Sequence, residues 1–139
     1  MKRLIILSLT LILLVSCSIS DNGSSYDGYS LDVLPIESVD MPDTFTLGET
    51  YPITVHYFTP STCYSFKEFY YLKNNNERTV AVINYVADNP NCTDLQDELT
   101  EATFNFVVTS NGSYVFKFWQ GTDENGDDQY LTIEVPVTN

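Results

Sequence analysis

From about position 43 onward, apolar residues recur every second position, a period of two with short polar breaks between runs. Side chains two residues apart share one face of a strand, so this pattern predicts half-buried β-structure. Tyr51 to Phe58 puts Tyr51, Ile53, Val55 and Tyr57 on one face, and Ala102 to Thr109 does the same for Ala102, Phe104, Phe106 and Val108. Ser113 to Gln120 groups Tyr114, Phe116 and Phe118, and Gln129 to Val137 groups Leu131, Ile133 and Val135. Arg78 to Val86 is apolar enough for burial on both faces. Tyr64 to Leu72 is aromatic, but its alternation fails at Lys67-Glu68, which predicts a bulge. Asp43 to Leu47 is a short run stopped by Gly48, and Leu31 to Ile36 is a weaker candidate for a first edge strand. No stretch of ten residues carries a helical period; Asp94 to Thr100 has room for one helical turn at most. About seven strands separated by Asn, Gly, Asp and Pro turns predict an all-β sandwich of two sheets.

The first residues follow a different pattern. Lys2 and Arg3 precede a mostly apolar run from Leu4 to Val15, which is too short to span a bilayer, where about 20 residues are needed. A basic start, a short apolar core and a small residue before a cut read as a secretory signal peptide. Leu14-Val15-Ser16-Cys17 resembles the bacterial lipobox. The resemblance implies cleavage before Cys17, with diacylglycerol on its thiol and a fatty acyl group such as palmitate on its amine. Two or three chains are needed for stable anchoring, because one alone holds a protein to a membrane only marginally. Ser18 stands where an Asp would resemble an inner-membrane retention signal, which points to the outer membrane. Ser18 to Ser30 is rich in Ser, Gly, Asp and Asn without apolar period and reads as a flexible tether. The predicted organisation is therefore a signal peptide over 1–16, a lipidated cysteine and tether over 17–30, and one sandwich domain over 31–139.

Composition narrows the function classes. The chain has 139 residues, 6 Lys and Arg against 19 Asp and Glu, and a formal charge of −13. Removing the leader takes away Lys2 and Arg3 and no acid, so the exported part is more acidic still. Nucleic-acid recognition needs a basic face and is excluded on this balance, as is electrostatic docking on anionic lipid. The bland consequence of the acidity is a soluble, self-repelling monomer. The single histidine, His56, falls on the outward face of its strand and has no partnering nucleophile in the pattern, so it reads as a surface residue.

Ser110-Asn111-Gly112-Ser113-Tyr114-Val115-Phe116 resembles the tyrosine-corner stretch that leads into strand F of immunoglobulin-like domains. The resemblance implies a Greek-key β-sandwich in which the Tyr114 hydroxyl reaches back to the backbone. Phe116 stands where a cysteine would follow, so the usual inter-sheet disulfide is absent and the resemblance covers architecture only. The whole chain also resembles small lipoproteins of flavobacteria and their relatives that carry one such domain. That likeness rests on the lipobox, the acidic tether, Tyr51-Pro52-Ile53-Thr54-Val55 followed by Ser61-Thr62-Cys63-Tyr64, and Gly112-Ser113-Tyr114-Val115-Phe116. It implies no activity.

With Cys17 lipidated, Cys63 and Cys92 remain, and an even remainder in an exported protein predicts one disulfide. A metal or redox pair is the rival reading, but it lacks C-x-x-C spacing and a third ligand. Asp123, Asn125 and Asp127 have the spacing of the first ligands of a calcium loop, with Glu134 at the twelfth position. Gly126 comes at position four, however, where position six is needed, so a plain hairpin loop is the preferred reading and no metal is favoured. If Gln120 pairs with Gln129, Trp119 lies opposite Tyr130, and both point away from the core. Such a pair stacks on a sugar ring or anchors a protein partner, or simply stabilises the sheet. The expected function is a lipid-anchored envelope module that binds a protein or glycan without catalysis. Calcium or carbohydrate binding is the alternative. A glycosidase is the weaker rival, since it needs two facing carboxylates in a cleft and no cleft-forming insertion is visible.

Overall fold

The computed structural model describes residues 28–96 and 98–139. Cys17, the signal peptide and most of the expected tether lie outside the described residues. Within them the elements are strands: β1 (Tyr29–Leu34), β2 (Ile36–Asp40), β3 (Phe45–Thr46), β4 (Thr50–Phe58), β5 (Tyr64–Asn74), β6 (Glu77–Ala87), β7 (Leu99–Val107), β8 (Ser113–Thr122) and β9 (Asp128–Thr138). They form the expected two-sheet, all-β sandwich. The smaller sheet runs β2-β4-β7; the larger runs β1-β6-β8-β9-β3, with β5 on the other edge of β6.

The count of nine among the described residues exceeds the expected seven or so, and Pro35 accounts for part of the difference. Proline fixes φ and has no N–H to give a ladder, so the weak run at Leu31 to Ile36 cannot continue as one strand. It divides into β1, which pairs with β6 in the larger sheet, and β2, which pairs with β4 in the smaller one. β1 also takes in Tyr29 and Ser30, which the sequence assigns to the tether. The run at Asp43 to Leu47 contracts to two residues, which pair with β9 in parallel. A second parallel pairing joins Glu77–Val80 to Val115–Phe118, so the larger sheet is mixed rather than wholly antiparallel. One edge of β6 is thereby divided between β1 at one end and β8 at the other.

The predicted alternation builds the core. Ile53, Val55 and Tyr57 of β4, Ala102 and Phe106 of β7, Val80 and Val82 of β6, and Tyr114, Phe116 and Phe118 of β8 are all buried between the sheets. Phe45 is fully buried although its strand is only two residues long. Its ring centroid lies 5.0 Å from that of Tyr51, 5.3 Å from that of Phe106 and 6.1 Å from that of Phe116. The β5 bulge falls between Phe66 and Glu68, as the broken alternation predicts. The Tyr114 hydroxyl reaches back to the backbone, its oxygen accepting from the N–H of Thr109 at 3.1 Å and of Ser110 at 3.0 Å.

The disulfide joins Cys63 to Cys92 with Cα atoms 5.4 Å apart. Its neighbourhood is stitched by backbone bonds, Thr62 N–H to Thr93 O at 2.9 Å and Leu95 N–H to Pro60 O at 3.0 Å. Among the described residues of the segment that follows there is no helical turn, and Leu99 and Thr100 already belong to β7.

Candidate functional site

The outer face of the larger sheet carries several exposed apolar side chains. Tyr70 of β5 is Cα partner to Ala81 of β6, Val33 of β1 to Ile83 of β6, and Trp119 of β8 to Tyr130 of β9. All these side chains alternate away from the core residues of their strands, and Tyr70, Leu72, Val33 and Tyr130 are exposed. Ala81 is small and sits in the middle strand between large neighbours, so the face is concave there. The result is a groove of about 410 Å³ walled by Tyr70, Leu72, Trp119 and Tyr130.

Asp128 stands at the rim and orients both predicted aromatics. Its carboxylate accepts from Trp119 Nε1 at 2.9 Å and from the Tyr130 hydroxyl at 3.4 Å. Burial, with the Asp128 charge and hydrogen bond and the nearby Tyr70 after it, raises the Tyr130 phenol above its ordinary range. The expected Trp119–Tyr130 pairing is therefore present, but the pairing it was derived from is not. The register shifts between Trp119 and Thr122, and Gly121 has φ of 102° there. Gln120 turns instead to the other sheet, where its side-chain amide donates to Ile36 O at 3.1 Å. Trp119 is also half-buried rather than free-standing.

Sequence reading missed Tyr70, Leu72, Val33 and Ile83. The signal was present: Tyr70 and Leu72 are two apart. The bulge before them puts them out of phase with Tyr64, so their face could not be assigned from the start of the run.

The other predicted residues do not join this groove. Asp123 caps its own hairpin, its Oδ1 accepting from the N–H groups of Asn125 at 2.8 Å and Asp127 at 3.0 Å. Its second oxygen accepts from the Gln129 amide at 3.3 Å. Among the described residues no three His, Cys, Asp or Glu side chains converge as a metal site. His56 lies on the outer face of the smaller sheet but is not a free surface residue. It is held between Asp40, with Nε2 to Oδ2 at 2.9 Å, and Glu101, with Nδ1 to Oε1 at 3.8 Å.

The groove thus offers flat rings, aliphatic walls and one carboxylate already engaged with two donors. Such an arrangement can take a ligand by apolar contact and stacking. No family model matches the sequence, and no curated protein and no solved structure matches it either.

Proposed function

We propose that the protein is a non-enzymatic binding module of the cell envelope, anchored by lipid at Cys17, with the Trp119 groove as its recognition surface for a partner protein. The observation that carries the reading is the row of Tyr70, Trp119 and Tyr130 over the small Ala81. A ring anchor seated in a pocket is the usual energetic centre of a protein interface. Supporting the compartment are the lipobox-like end of the apolar leader and the Cys63–Cys92 bridge, which suits an oxidising environment. The immunoglobulin-like reading and the likeness to flavobacterial lipoproteins belong to the same proposal.

A photo-crosslinking residue at position 72, compared with one at position 103 on the opposite sheet, tests it in intact cells. A discrete adduct at 72 only, lost in Tyr130→Ala, is expected; no adduct at 72, or equal adducts at both positions, overturns it. Intact mass of the native protein checks the anchor, since a chain that begins at Met1 or lacks acyl mass removes it. The way Asp128 holds the Trp119 indole favours a second reading, stacking on a sugar ring of a glycan. In that case Trp119→Ala lowers retention on a glycan array.

A further inference from the structure

We propose a second site, independent of the groove: the opening between β5 and β7 binds a small organic monocarboxylate, its anionic group held by Arg78 and Lys73 and its ring body by Tyr71 and Phe104.

The site begins with an imbalance of charge. The described residues contain four Lys or Arg, and two of these are paired, Lys67 with Glu68 and Lys117 with Glu77 at 3.3 Å. The other two, Lys73 and Arg78, are direct Cα partners across the β5–β6 hairpin and so share one face. Like charges directly opposite each other destabilise a sheet. Arg78 is only 3% exposed, and neither residue has a carboxylate partner among the described residues. Buried charge without a counter-ion is costly, and none of the described Asp and Glu supplies one here.

The geometry converts that imbalance into a receptor. β5 and β7 are edge strands of different sheets, so the sandwich is open between them. Tyr71 and Phe104 have ring centroids 5.9 Å apart across this opening, and Phe69 and Phe104 5.0 Å. Beside them lies a cavity of about 390 Å³ that includes Lys73 and Arg78 in its lining and no acid. That size suits a ligand of one ring. Arg78 is fixed in advance: its Nη1 donates to Asn75 O at 2.8 Å and Glu77 O at 2.7 Å. Its guanidinium carbon lies 4.9 Å from the Tyr114 ring centroid. A guanidinium already held loses little freedom on taking up a carboxylate. The formal charge of −13 repels polyanions over long range, which leaves a singly charged acid as the best fit.

Tyr71 and Lys73 lie on the strand face turned toward the opening, and Tyr70 and Leu72 on the opposite face, so the two sites can be separated by experiment. Benzoate is titrated into the purified protein and followed by amide NMR, with benzyl alcohol, acetate and inorganic phosphate as controls. Saturable shifts at Tyr71, Lys73, Phe104 and Asn105 are expected with benzoate, and roughly tenfold weaker response to each control. Lys73→Gln, a change at an exposed position, weakens benzoate by roughly three- to tenfold with the remaining spectrum unchanged. Equal response to benzyl alcohol, equal response to acetate or phosphate, no saturation, or an unaffected Lys73→Gln each overturns the proposal.

Discussion

Tyr114 shows how one side chain ties the core to the surface. Its ring is buried, while its hydroxyl emerges at the exposed Thr109 and Ser110 and also contacts Ser110 Oγ at 2.8 Å. Burial pushes the phenol up, but hydrogen bonds from Ser110 and Thr109 outweigh it and leave it at about 8, below its ordinary 10.0. Because the folded state favours the phenolate, this group adds stability fully above pH 10, less as pH falls, and none below about 8. An absorbance step at 295 nm near pH 8 is expected, and Tyr114→Phe removes it. The same variant leaves two N–H groups without their acceptor and costs about 1–3 kcal/mol by denaturant unfolding. Phe45 is the complementary case, a residue whose whole contribution is packing. Phe45→Ala deletes a ring touching several others and is expected to cost about 3–5 kcal/mol, although its strand is the shortest.

At the scale of the element, irregularities place the site. The Gly121 bulge directs Gln120 across the sandwich and leaves Trp119 on the groove side. A Cβ at Gly121 would meet only Pro35 Cγ at 3.7 Å, so space is not what excludes it; the φ of 102° is. Gly121→Ala is expected to cost about 1–3 kcal/mol and to shift the Trp119 emission maximum, measured together in one denaturant series. The disulfide spans 29 residues of sequence, and removing it by Cys63→Ser with Cys92→Ser is expected to cost about 3–4 kcal/mol by chain-entropy reckoning. These features divide what the sequence discloses from what it hides. β4, β7, β8 and β9 were legible because each keeps its period and shows one face to the core. β2 was not, because a register shift between Ile36 and Ser38 breaks its alternation. The Trp119–Tyr130 half of the groove was legible from hairpin symmetry. The Tyr70–Leu72 half depends on β5 joining β6, a contact between strands that no single-strand pattern encodes. Arg78 opens a run that the sequence reads as apolar enough for burial on both faces; only the fold shows that its own side chain is buried.

For the whole molecule, charge is the dominant long-range term. Acids outnumber bases about threefold, and few of the described acids are paired, so the folded state repels itself. The melting temperature is expected to rise by a few degrees as sodium chloride increases from roughly 10 to 150 mM, because the screening length shortens towards 8 Å. A melting temperature independent of salt would show that the acids are too dispersed to matter. The division of the first strand at Pro35 also has a mechanical consequence. Traction on the N-terminal end enters β1, whose six rungs run along the central strand of one layer. One residue later the same chain is bonded into the other layer. A pull from that end therefore clasps the two layers through a single covalent link, and neither slips without shearing a ladder first.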